Sequence, residues 1–136
     1  MLAINGASLG AGDMGDETPL IAAARRGDSA TVAELLRLGV AVNARSRDGN
    51  TALIAAAATG HADVVRELIA HKATANLRNN AGNTALMTAA AQGQEATVRL
   101  LLSAGADPDL VNVDHRTARD LASLANQPGI VALLQR

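Results

Sequence analysis

The sequence predicts an all-α solenoid: four stacked 33-residue helix-turn-helix units joined by short hairpin turns. Two observations predict this. Residue types recur at one interval of 33 along the chain. The apolar residues are aliphatic and alanine-rich, with no Phe, Trp or Tyr among 136 residues. Alanine buries little area, so such a core holds only where helices approach closely along a long contact.

The interval is read from five columns. Thr18, Thr51, Thr84 and Thr117 are each 33 apart. Val32, Val65, Val98 and Val131 keep the spacing, as do Leu35, Leu68, Leu101 and Leu134. Leu20, Leu53 and Leu86 form a fourth column that departs at Arg119. Gly27, Gly60 and Gly93 form a fifth, with Asn126 in the last copy. A unit this short cannot bury its own apolar face, so like columns must stack on like.

Each unit opens on the threonine, whose side chain can cap a free backbone N–H. Pro19 in the first unit suits the first helical position. A short helix such as "ALIAAAAT" follows, and glycine or asparagine ends it in the left-handed conformation. A second helix, "HADVVRELIAH", sets Val65, Leu68 and Ile69 on one face. A loop and a polar turn, "RDGN" or "NAGN", lead to the next threonine. Helices are therefore expected near 19–26 and 29–38, and again every 33 residues. The column of Leu68 and Leu101 is expected to be buried between neighbouring units. Arg119 is expected on the outer side of the last unit, with its stem packed and its head in water.

Several function classes are excluded. A formal net charge of −1 supplies no bulk attraction to nucleic acid or to an anionic membrane. Without cysteine there is no disulfide framework, thiolate zinc site or cysteine nucleophile. No apolar run reaches the length of about 18 residues that marks a membrane span. The opening "MLAINGASLGAG" lacks the basic region of a signal peptide. A cytoplasmic protein is expected, with the periplasm left open. Eleven arginines to one lysine, with abundant alanine, fit a GC-rich bacterial genome.

His61, His71 and His115 have no partner at metal-ligand spacing. His61 reads as a polar residue opening a second helix, and His71 falls in the last turn of that helix, where positive charge is favourable. "DHR" at 114–116 has no nucleophile motif beside it, and Asp107 and Asp109 lack the calcium-loop spacing. "LGAG" lacks the lysine-serine ending of a phosphate loop. The tripeptide Arg26-Gly27-Asp28 reads as a helix end followed by a helix cap. No catalysis, cofactor or metal is expected.

The chain resembles the ankyrin repeat family over residues 13–136. The family pattern D-x-x-G-x-T-P-L-H-x-A-A-x-x-G-H-x-x-x-V-x-x-L-L-x-x-G-A is matched by "NNAGNTALMTAAAQGQEATVRLLLSAGA" at 79–106, and by "TPLIAAARRGDSATVAELLRLGV" earlier. The resemblance divides the chain into a tail at 1–12, an N-capping repeat at 13–45, internal repeats at 46–78 and 79–111, and a C-capping repeat at 112–136. Two departures stand out. The histidine after T-P-L, which in the family ties neighbouring turns, is replaced by Ile21, Ile54, Met87 and Asp120. Lys72 stands where Gly39 and Gly105 end the longer helix, so a positive φ is expected there.

The resemblance implies a monomeric, non-enzymatic module that binds another protein through its turn tips and the concave face of its short helices. The unrepeated positions there are Arg25, Arg26, Arg45, Arg47, Asp48, Asn50, Arg78, Asn80, Asn83, Gln92, Asp114 and Arg116. Met14, Glu17, Ala58, Thr59, Ala91, Val111 and Val113 accompany them. With no aromatic anchor present, arginine is the expected hot spot. Arg45 and Arg78 recur at equivalent places, and an acidic partner segment fits them. The alternative is a structural or accessory subunit of a larger assembly.

Overall fold

The computed structural model describes residues 17–135. The expected tail at 1–12 and the start of the first unit, with Met14, lie outside the described residues. Eight helices are found among the described residues, and no β-strand. They are α1 Pro19–Arg26, α2 Ser29–Arg37, α3 Ala52–Thr59, α4 Ala62–Ala70, α5 Ala85–Ala91, α6 Glu95–Ser103, α7 Ala118–Leu124 and α8 Pro128–Leu134. The expected ranges hold within a residue except at the last helix: α2 stops at Arg37, with Leu38 as its cap, while α8 ends at Leu134 and Gln135 is extended.

The helices form four consecutive pairs. The short helices α1, α3, α5 and α7 stack in one layer, and α2, α4, α6 and α8 in a second. Alanine makes the first layer possible. Ala23, Ala24, Ala52, Ala56, Ala57, Ala85, Ala89 and Ala90 are fully buried, and their small side chains let the helices approach closely. Leu20, Leu53 and Leu86 fill what remains. In the second layer Val65, Leu68, Val98 and Leu101 are fully buried. The leucine column is incomplete at its start. Leu35 is only half-buried, α2 having among the described residues a neighbour in its layer on one side alone, and Leu36 carries more of the burial there.

Each short helix starts as the threonine column requires. The Thr18, Thr51, Thr84 and Thr117 hydroxyl oxygens accept from the N–H of Ile21, Ile54, Met87 and Asp120 at 3.1–3.2 Å. Asp120 adds a reciprocal bond, its carboxylate accepting from the Thr117 N–H at 3.0 Å.

Three backbone columns adopt left-handed φ, and each contains one residue other than glycine. Asn126 (φ 58°) follows Gly27, Gly60 and Gly93; His115 (φ 62°) follows Gly49 and Gly82; Lys72 (φ 68°) stands between Gly39 and Gly105. The stacked frame holds all three despite the cost of a Cβ in that region. Lys72→Gly should therefore raise stability by about 1 kcal/mol, the cost of the side chain at that φ. Denaturant unfolding checks it, and a loss of stability would contradict it.

Candidate functional site

The turns stack into a ladder. The Asn80 N–H donates to the Asp48 carbonyl at 3.0 Å, and the Val113 N–H to the Ala81 carbonyl at 3.0 Å. With isoleucine or methionine after the threonine, the histidine ties typical of the resemblance are absent, and asparagines make ties of another kind. Asn79 Nδ2 donates to Asn50 Oδ1, and Asn112 Nδ2 to Asn83 Oδ1, both at 2.9 Å. On the other side of the loops, the Thr74 N–H donates to Asn43 Oδ1 at 2.9 Å and the Asp107 N–H to Asn76 Oδ1 at 2.8 Å.

Between this ladder and the short helices runs an open groove of about 850 Å³ along the first two pairs and the start of the third. Its floor includes Ala22, Ala55 and Ala58; Ile54 and Thr88 also line it. Of the sequence-expected residues, Arg25, Arg47, Asp48, Asn50 and Asn83 line this groove together. Arg26, Arg45, Arg78, Asn80, Gln92, Asp114 and Arg116 are not among its lining residues, and all seven are exposed.

Several of these side chains already have intramolecular partners. Arg25 grips Glu17 bidentately, Nε to Oε2 at 2.8 Å and Nη2 to Oε1 at 2.5 Å. That hydrogen bond holds the Glu17 carboxyl below its ordinary value of 4.5. Arg26 Nη2 lies 3.8 Å from Asp28. Arg45 Nη1 donates to the Arg78 carbonyl at 3.1 Å, and Arg78 Nη1 to the Val111 carbonyl at 3.5 Å. These two arginines therefore clasp each turn to the next, and both residues are exposed. Asn80 Nδ2 donates to the Arg47 carbonyl at 3.1 Å. The outward placement of Arg119 holds, since its side chain is exposed at the end of the stack.

Asp28 and His61 have structural roles. Asp28 caps α2, accepting from the Thr31 hydroxyl at 2.6 Å and the Thr31 N–H at 3.2 Å. His61 opens α4 without a capping hydrogen bond, and its ring lies over Gly27 of the preceding pair. A Cβ built on Gly27 would stand 2.5 Å from that ring. Gln94 covers Gly60 and Gln127 covers Gly93 in the same way. The signal was present in the sequence as a larger polar residue directly after Gly60, Gly93 and Asn126.

The depressed carboxyls sit at the two ends of the stack. Thr31 holds Asp28 low, through its hydroxyl first and its N–H second, and the Thr117 N–H holds Asp120 low. A folded pKa below the unfolded one stabilises fully above the ordinary value and is lost as pH falls through the folded value. Below about pH 4, the first and last helix pairs should therefore loosen before the middle two. Hydrogen exchange resolved by segment measures this; earlier loosening of α3 to α6 would contradict it.

Among the described residues no three His, Asp or Glu side chains gather to hold a metal ion. No described helix is long and apolar enough to cross a membrane. Comparison with curated proteins returns no match. The family description "Ankyrin repeats (3 copies)" matches residues 1–79, 20–112 and 71–136, which together span the chain. Such repeats are generally protein–protein interaction modules and typically non-enzymatic. With its helix pairs, its turn ladder and these overlapping matches, the chain belongs to the ankyrin repeat family.

Proposed function

We propose that this protein is a non-enzymatic, monomeric binding module that holds an acidic segment of a partner protein across its turn tips and the groove between them and the short helices. We divide it into capping repeats at 13–45 and 112–136 and internal repeats at 46–78 and 79–111. One observation carries the reading: the turn-tip and groove columns together concentrate positive charge on a chain of formal net charge −1. Among the described residues of the first three helix pairs, Arg25, Arg26, Arg45, Arg47 and Arg78 outnumber Glu17 and Asp48 on those columns. Arginine grips a carboxylate bidentately through two in-plane N–H groups, and with only Nη1 on a carbonyl the Nε–Nη2 edge of Arg45 and of Arg78 can do so without leaving it.

The combined variant Arg45→Gln with Arg78→Gln should weaken partner binding by about tenfold or more, the usual effect of losing an arginine hot spot. It also removes two exposed hydrogen bonds between turns, so the melting temperature should fall by a few degrees. Partner proteins captured from a lysate and quantified at rising salt provide the test. Partners held equally by both forms, or held independently of salt, would contradict the reading.

A further inference from the structure

The groove-side columns change character along the stack. Large apolar side chains are exposed at four described positions: Leu38, Val111, Val113 and Leu124. Leu38 caps α2 in the other helix layer. Val113 and Leu124 occupy groove-lining columns of the last helix pair, and Val111 occupies the turn-tip column of Arg45 and Arg78. Val111 stands 33 residues after Arg78 and 66 after Arg45. Val113 corresponds to Arg47 and Asn80, and Leu124 to Arg25, Ala58 and Ala91. Arg47 and Ala58 line the same groove at the second pair. Val113 and Leu124 stand in that same relation at the fourth, where the Val113 N–H bond to Ala81 continues the turn ladder. Both are 63% exposed, so the surface is available.

We infer that the face is polarised and that its partner is a single extended segment with two unlike ends. Carboxylates lie against Arg45 and Arg78, and a bulky aliphatic or aromatic side chain packs on Val113 and Leu124. This rests on the proposed groove reading and adds the partner's second determinant and its spacing. Two factors argue for such an occupant. Charge complementarity assigns the acidic end, and continuity of the columns places the apolar patch at the far end of the same face. From Arg45 to Val111 is two helix-layer steps, about 16–20 Å. An extended chain covers that in about five or six residues. The polarity also imposes an orientation, because a segment laid the other way puts carboxylates on valine and leucine, where they lose hydration without a partner.

Selection from a displayed library of random segments of about twelve residues tests this. Wild type should enrich acidic residues with Leu, Ile, Phe or Trp about five or six positions away, in one order only. Against these segments, Val113→Ser with Leu124→Ser should lose about tenfold in affinity, the factor that burial of one such side chain supplies. Val113→Met with Leu124→Met should retain it. Enrichment of acidic segments alone, indifferent to the serine pair, overturns the inference and leaves the groove reading standing. Failure to enrich any segment that responds to Arg45→Gln with Arg78→Gln overturns both. Self-association in sedimentation that the serine pair abolishes would assign the apolar end to a second copy and also overturn the inference.

Discussion

Leu101→Ala should lower the stability of the stack by about 2–5 kcal/mol, the range for deleting a fully buried leucine side chain. Leu101 is 0% exposed on α6, the helix that packs against α4 on one side and α8 on the other. The cavity would open between helix pairs, where interface terms hold a solenoid together. In a chain of this size that is a large share of the total. Leu38→Ala supplies the contrast. Leu38 is exposed at the end of α2, and its loss should stay within about 0.5 kcal/mol. Urea unfolding of the two variants measures the difference. Equal effects would show that the leucine column does not carry the contact between pairs.

Gly82→Ala should cost about 2–4 kcal/mol. Part is the left-handed backbone, φ 80°, where a side chain costs about 1–2 kcal/mol. The rest is collision. The new Cβ would lie 2.9 Å from the Val113 nitrogen and 3.0 Å from the Asn112 Cα, so backbone must move. The bond from Val113 to the Ala81 carbonyl lies within that crowding, and the turn ladder should open there. Gly105→Ala separates the two terms: its φ is 92°, but nothing stands within 4 Å of the added Cβ. Its loss should stop at about 1–2 kcal/mol. Equal losses in both variants would mean that the neighbouring turn does not pack on Gly82.

The local parts of this fold were legible because the residues that make them act on their own neighbours. The threonine caps, the glycine helix ends and the positive φ at Lys72 each follow from a side chain or its absence within a few residues. Contacts between units were less legible, because they depend on where one turn sits on the next. Asn50 and Asn83 were read only as surface positions, and their pairing with Asn79 and Asn112 across 29 residues was not legible. The arginines show the limit most clearly. Equivalent placement marked Arg45 and Arg78 as surface anchors, yet each also donates to a carbonyl 33 residues on. Arg25 likewise read as a cation until Glu17, eight residues earlier, was found in its grip. Sequence spacing shows which residues share a face; their pairing depends on turn geometry in three dimensions.

The central claim is that a partner occupies the groove between turns and short helices. The alanines that build the stack also report on it. Ala22 and Ala58 line the groove, and Ala91 shares their layer and stands 33 residues after Ala58 in its column. Ala30, Ala70 and Ala96 are exposed on α2, α4 and α6 of the other layer. Alanine methyl NMR, with and without a captured partner, compares the two sets in one spectrum. The account predicts that the methyls of Ala22, Ala58 and Ala91 shift on binding while those of Ala30, Ala70 and Ala96 stay in place. Shifts confined to Ala30, Ala70 and Ala96 would contradict it.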